Sequence, residues 1–392
     1  MEHHLTVAHC LPQDRERAVL IGRAWLASAG GPAVVCIRGD EILDLSRLAA
    51  TASALFELAD PLAAIDAAHG VEPIASLDDV LANSSCDRRD EATPWFLAPC
   101  DLQAIKASGV TFVSSMLERV IEEQARGDPG RAESVRKAIV GVIGDDLASV
   151  RPGSPDAAKL KEVLIAQGAW SQYLEVGIGP DAEIFTKSQP MSAVGLGAEI
   201  GIHPKSAWNN PEPEIVLVVN SRGETVGATL GNDVNLRDFE GRSALLLGKS
   251  KDNNASCAIG PFVRLFDDTF TIDDVRRCEL AMRVDGPDGF VLKGSSSMAM
   301  ISRDPLDLVG QAIGANHQYP DGFMLFLGTM FAPTQDRLAP GQGFTHVLGD
   351  IVTVATPKLG ALVNRVNRSD RIAPWTFGAR ALAENLARRG LL

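Results

Sequence analysis

Hydrophobic and polar positions change rhythm twice along the chain. Over residues 1–95, short apolar runs such as AVVCIRGDEILDLS (33–46) alternate with a helical pattern, ALFELADPLAAIDAA (54–68). This spacing predicts a small α+β unit. EATPWFLAPC (91–100) is broken by proline and reads as a connector. From 96 to 169 the period becomes helical. FVSSMLERVIEEQAR (112–126) carries apolar residues at helical spacing with acid–base pairs opposite, GDPGR ends it, and ESVRKAIVGVIGDDLA (133–148) starts a second helix. A Pro/Gly break opens a third helix within SVRPGSPDAAKLKEVLIAQ (149–167).

From 170 to 392 the pattern is short and β-branched, punctuated by Gly, Asn and Asp. EIVLVV, ALLLG, CAIGPFVRLF, CELAMRV, GFVLKG, GFMLFLG and DIVTVATP each predict a strand, and a helix over APWTFGARALAENLARR ends the series. The expected class is α+β and β-dominated, with boundaries at 95 and 169.

Composition narrows the picture. In 392 residues, 45% hydrophobic and 22% charged content is ordinary for a globular protein, and a net charge of −13 with no basic stripe argues against a general nucleic-acid binder. No apolar run approaches the ~20 residues of a membrane helix. The start, MEHHLTVAHCLPQD, lacks the basic and apolar regions of a signal peptide. Cys10, Cys36, Cys86, Cys100, Cys257 and Cys278 are scattered without CxxC spacing, which predicts reduced thiols in a cytoplasm.

The candidate chemistry starts in WNNPEPEIVLVV (208–219), where Glu212 and Glu214 stand at the mouth of an apolar strand. Residues i and i+2 of a strand share a face, and two carboxylates there repel unless a cation intervenes. A hard divalent ion such as Mg²⁺ or Mn²⁺ resolves the repulsion; a solvated edge strand is the plainer reading of E-x-E alone. A hairpin through NSRGET returns Asp233 beside the pair, with Asp238 as its competitor. Lys249 and Lys251 in GKSKDNNASCAIGP are candidate bases, and Glu183, Phe185 and Lys187 in DAEIFTKSQP alternate on one strand face. Thr329 in FLGTMFAPT follows an apolar run where a hydroxyl and backbone N–H groups can hold a carboxylate. GLGAEIG has the wrong glycine spacing for a dinucleotide loop, GSSSM is not a nucleophile elbow, and HExxH is absent. His3, His4 and His9 belong to a terminal tail, and His203 is a weak outer partner of the carboxylates.

Taken in order, EIFTKSQPMSAVGLGAEIGIHPKSAWNNPEPEIVLVV, GNDVNLRD, KSKDNNASCAIGP, GTMFAPT and GDIVTVATPKLGALVNRV resemble the fumarylacetoacetate hydrolase family over about residues 170–368. W-N-x-P-E-P-E is similar to the branch that dehydrates 2-keto-3-deoxy sugar acids, and SGVTFVSSMLERV (108–120) to that branch's substrate loop. Asn235 stands where the family usually has Ser or Thr. The resemblance implies a mixed β-sandwich or β-roll C-terminal body carrying a smaller N-terminal α+β domain, in a homodimer or homotetramer. It implies a Mg²⁺ (or Mn²⁺) site at Glu212, Glu214 and Asp233, and Glu183 and a loop lysine as catalytic residues. Spacing to Gly260 selects Lys251, whereas matching K-S-x-D selects Lys249. Substrate contacts would come from Ser115, Arg119, Lys187 and Thr329. The implied reaction is dehydration of a 2-keto-3-deoxy-pentonate, the D-xylonate-derived one, to 2-oxoglutarate semialdehyde in oxidative pentose degradation. Rival readings are C–C hydrolysis of an acylpyruvate, decarboxylation or isomerisation of a 2-keto acid, and a non-catalytic binding protein on the same fold.

Overall fold

The structure, a computed structural model, describes every residue except 69–70, 144–149, 167, 169 and 332. In chain order its strands are β1 (Leu20–Leu26), β2 (Gly31–Arg38), β3 (Glu41–Asp44), β4 (Pro73–Ser76), β5 (Trp95–Leu97), β6 (Ala104–Gly109), β7 (Glu183–Ser188) and β8 (Glu199–Ile202). There follow β9 (Pro213–Val219), β10 (Thr225–Asp233), β11 (Cys257–Leu265), β12 (Glu279–Asp285), β13 (Val291–Ser297), β14 (Phe323–Phe326), β15 (Ile351–Thr356) and β16 (Gly360–Arg368). Among the described residues these form two mixed sheets. The larger has 11 strands, in the order β4-β3-β2-β1-β11-β10-β9-β14-β6-β7 with β5 added to β1, and the smaller has five, β13-β12-β15-β16-β8.

β9 explains why EIVLVV has no alternation. Ile215, Leu217 and Val219 pack into the core shared with Met282, Val352, Val354 and Leu362 of the smaller sheet. Val216 and Val218 pack on the opposite side with Leu55, Phe56 and Ile65, from the helices Ala52–Phe56 and Pro61–Ala67. A strand covered on both faces needs apolar residues at every position. The N-terminal strands are not separate from this sheet, because β1 pairs with β11 through Leu20↔Arg264 and Ile21↔Val263.

The three predicted helices appear as Val113–Ala125, Pro129–Ile143 and Pro155–Ala166, joined by Gln172–Ile178 in a third hydrophobic cluster around Met116, Val120, Leu174 and Trp208. The end of the second predicted helix, residues 144–149, lies outside the described residues. One predicted strand is helical instead: ALLLG forms a 3-10 turn (Ala244–Leu246) running into the helix Leu247–Lys251. Its leucines are not β-branched and favour helix, and the Ser243 hydroxyl caps the turn by accepting from Leu245 N. No helix among the described residues is long and apolar enough to cross a membrane.

Sheet order decides where chemistry can gather. β9 and β10 are antiparallel, with Glu214 opposite Gly231 and Pro213 opposite Asn232. β14 runs antiparallel to β9, β6 parallel to β14, and β7 antiparallel to β6. The start of β9, the ends of β10, β14 and β6, and the start of β7 therefore share one edge of the sheet. Lys251 joins them there, because β11 begins beside the end of β10, with Cys257 opposite Asp233.

Candidate active site

That edge forms a cleft lined by Ser108, Ser115, Arg119, Glu183, Glu212, Glu214, Asp233, Glu240, Lys251 and Thr329, with Gly109, Val110, Phe185 and Gly328 completing its wall. One oxygen each from Glu212, Glu214 and Asp233 lies within 4.8 Å of the others, and all three residues are buried. Hairpin pairing brings Asp233 back to the pair, as its N–H donates to Glu212 O at 3.0 Å. Glu214 accepts from Gly328 N at 2.6 Å, the residue just past β14.

Two cations meet the triad from within the cleft. Lys251 Nζ lies 2.6 Å from Glu212 Oε2 and 2.9 Å from Asp233 Oδ2. Arg119, from the helix Val113–Ala125, pairs with Glu212 through Nη2 and with Glu122 and Glu240 through Nη1, at 2.7 and 2.9 Å. Lys187 lies behind the triad. It is fully buried, 2.9 Å from Asp233 Oδ1, and donates to Lys251 O and Val234 O. It does not line the cleft, so the substrate contact expected of it is not where the structure places its ammonium. Each two-residue step along β7 carries a side chain about 6–7 Å further from the mouth, and Lys187 is two such steps beyond Glu183.

Burial and the neighbouring charges shift these groups in different directions. Burial pushes the Glu214 carboxyl well above its ordinary range, and the neighbouring Asp233 and Glu212 charges push it further. Burial alone would raise Asp233, but the ammonium groups of Lys187 and Lys251 outweigh it and hold its carboxyl low. Glu183 is raised by burial, which Arg119 and Lys251 only partly offset. Burial raises Glu240 to about 7 against the opposing pull of Arg119 and Lys251. Desolvation works against the Lys251 ammonium, yet Asp233, Glu212 and Glu240 hold its pKa above the ordinary lysine value.

These residues fit a hard divalent cation. Five carboxyl groups line the cleft against two cationic side chains. Glu214 has no cation within ion-pair distance among the described residues, only the Gly328 N–H. An all-oxygen donor set with surplus negative charge suits Mg²⁺-type ions rather than softer metals.

Other candidates separate clearly. Ser115 and Thr329 line the cleft, the first donating to Phe112 O and the second accepting from Phe331 N. Lys249 is exposed, its ammonium over the Phe239 ring, so the lysine beside the triad is the one picked by the G-P spacing rather than by K-S-x-D. His203 stacks edge-on against Phe239 outside the cleft, and Asp238 accepts from Ser206 and Ala207. Glu240 was not singled out by spacing, and the four-residue helix Arg237–Glu240 brings it inward; Ser108, the first residue of SGVTFVSSMLERV, lines the cleft from the end of β6.

Comparison with known proteins identifies the family. The sequence profile of the fumarylacetoacetate (FAA) hydrolase C-terminal family matches residues 165–367, more than half of the chain. A Haloferax volcanii protein named "Probable 2-keto-3-deoxyxylonate dehydratase" is 31% identical over 194 residues, 50% of this chain and 63% of that protein. The 2-dehydro-3-deoxy-D-arabinonate dehydratase of Saccharolobus solfataricus is 29% identical over 190 residues, 48% of this chain and 60% of that protein. The matches thus span about three fifths of these relatives' lengths. The solved structure of a 2-keto-3-deoxy-D-arabinonate dehydratase complexed with magnesium and 2,5-dioxopentanoate shares the fold, with a TM-score of 0.60 and 21% identity over 89% of this chain and 99% of that one.

Proposed function

The chain belongs to the fumarylacetoacetate hydrolase family, and on that premise we propose that it is a hydro-lyase that dehydrates a 2-keto-3-deoxy-pentonate, the D-xylonate-derived one, to 2-oxoglutarate semialdehyde. The observation that carries the reading is the meeting of Lys251, Glu183 and the carboxylate triad in one buried cleft. The names of the two relatives point to the same substrate class. Glu212, Glu214 and Asp233 would hold Mg²⁺ or Mn²⁺. These three residues would thereby place a Lewis acid where the C3 protons of a 2-keto acid would be acidified.

The chain's own residues then divide the proton work. Glu212 and Asp233 position the Lys251 side-chain nitrogen, desolvation works against its charged form, and Lys251 takes the C3 proton. Glu183, whose carboxyl burial pushes above its ordinary range, delivers a proton to the departing C4 hydroxyl. The C3–H and C4–O bonds break, water leaves, and tautomerisation of the enone moves the remaining unsaturation to a C5 aldehyde. Thr329 and Arg119 face the space where the substrate carboxylate and hydroxyls lie. Lys187 anchors Asp233 and the Lys251 carbonyl from behind. Acylpyruvate hydrolysis would need a base to activate water, and no histidine lines the cleft among the described residues.

The test is a coupled assay on chelator-stripped protein. Racemic 2-keto-3-deoxy-pentonate is supplied with Mg²⁺ or Mn²⁺, and an aldehyde dehydrogenase reports the semialdehyde through NADH. We expect signal that appears with metal and is lost in Glu212→Gln. Full activity in a Glu212→Gln protein that keeps its metal contradicts the reading, and cleavage of an acylpyruvate in its place moves the protein to the hydrolase branch.

A further inference from the structure

Glu214 is held differently from the other two carboxylates of the triad. Arg119 and Lys251 reach Glu212, and Lys187 and Lys251 reach Asp233. Among the described residues, no cation reaches Glu214, and its hydrogen bond comes from Gly328 N at 2.6 Å. The direction of that carboxylate therefore depends on one peptide unit, the one joining Leu327 to Gly328. In a trans peptide the carbonyl and the N–H point opposite ways from one rigid plane, so fixing the carbonyl also fixes the N–H.

The carbonyl of this peptide is fixed. Thr111, 1% exposed, donates from Oγ1 to Leu327 O at 2.7 Å. The two residues are shaped for each other. Gly328 has φ +88°, and a Cβ built there would fall 2.0 Å from Thr111 Oγ1, so glycine supplies both the conformation and the room for the hydroxyl. Thr111 is tied down in turn: its own carbonyl accepts from Ser302 N and from Ser302 Oγ, each at 2.8 Å. The residue before it, Val110, is buried with φ +57°. A β-branched residue rarely adopts that left-handed conformation, and such strain persists where the surroundings enforce it, typically at functional sites. Thr111 is not part of the cleft wall, so its effect on the site passes through Gly328.

We propose that Thr111 is a positioning residue for the metal site: its hydroxyl fixes the Leu327–Gly328 peptide so that the Gly328 N–H aims Glu214 at the divalent ion. The inference rests on the metal-dependent reading above. Hydrogen bonds behind a metal ligand are worth about 10–100-fold in metal affinity.

The experiment titrates chelator-stripped wild type, Thr111→Ser and Thr111→Ala with Mn²⁺ and reads the free ion by electron paramagnetic resonance. Serine and alanine both lack the threonine methyl, so the difference between them isolates the hydroxyl. Thr111→Ser should bind Mn²⁺ within about threefold of the wild-type Kd, and Thr111→Ala at least about tenfold more weakly. Equal Kd values in the two variants, both weakened or both unchanged, would overturn the proposal and leave Thr111 a packing residue. If Thr111→Ala fails to fold, Thr111→Val, which keeps the volume and lacks the hydroxyl, is compared with Thr111→Ser by the same criterion. Dehydration of 2-keto-3-deoxy-pentonate is assayed separately on the wild type. Mn²⁺ binding without dehydration would sink the reaction assigned above while the Kd values still decide the role of Thr111. A wild type that binds no Mn²⁺ would overturn that role together with the metal site.

Discussion

At the scale of single residues, Arg264 shows how a buried charge is answered by its partners. Arg264 has no exposed surface. Its guanidinium forks onto Asp14, with Nη1 2.7 Å from Oδ1 and Nη2 3.0 Å from Oδ2, while Lys358 reaches the same carboxylate at 3.0 Å. Those hydrogen bonds, Arg264's foremost, hold Asp14 down to about 2. A carboxylate depressed in the folded state stabilises the fold above its ordinary value of 3.8, and that contribution is lost as pH falls through about 2. Asp14→Asn should therefore cost about 2–3 kcal/mol in denaturant unfolding at pH 7, a deficit that shrinks below about pH 4. A deficit independent of pH would contradict the ion-pair account. Neither partner was legible beforehand, because 250 positions separate them and no local pattern joins a loop aspartate to a strand arginine. Glu212 and Glu214 were legible for the opposite reason: their oddity is local, two charges at the mouth of an apolar strand.

At the scale of elements, the cleft is a consequence of strand direction. Gly109 ends β6 opposite Glu183, and a Cβ built there would fall 2.0 Å from Glu183 Oε2. Gly109→Ala should thus displace the acid while leaving the sheet intact. We expect kcat to fall by at least about tenfold with little change in Tm; an unchanged kcat would mean that Glu183 need not stand where β6 and β7 place it. Most strands could be read from β-branched runs between Gly, Asn and Asp, because that pattern reflects burial on a pleated sheet. ALLLG misled because length and hydrophobicity alone do not separate a short strand from a helical turn. Lys187 misled because alternation identifies a face but not the depth along it. Pairing order was not legible at all. That β1 joins β11, and that β14 lies between β9 and β6, depends on contacts between residues far apart in sequence.

At the scale of the whole molecule, the larger sheet and the helical cluster converge on the charged cleft. The helical cluster is moored to it by alternating ion pairs: Glu212 to Arg119, Arg119 to Glu122, Glu122 to Arg237 and Arg237 to Glu118. The family profile covers the strands that carry the triad, but the helix bearing Arg119 lies N-terminal to it. The carboxylate triad could be anticipated from motif order, whereas Glu240 could be recognised only after folding had gathered it beside Arg119. The central claim is that Lys251 removes the C3 proton in this cleft and Glu183 serves the later loss of hydroxide. Proton NMR in D₂O tests it most directly, following the C3 hydrogens of 2-keto-3-deoxy-pentonate with metal-loaded Glu183→Gln and Lys251→Ala proteins. The account predicts C3 exchange above background in Glu183→Gln without dehydration, and no enzyme-dependent exchange in Lys251→Ala. Exchange in Lys251→Ala at the rate of Glu183→Gln would contradict it.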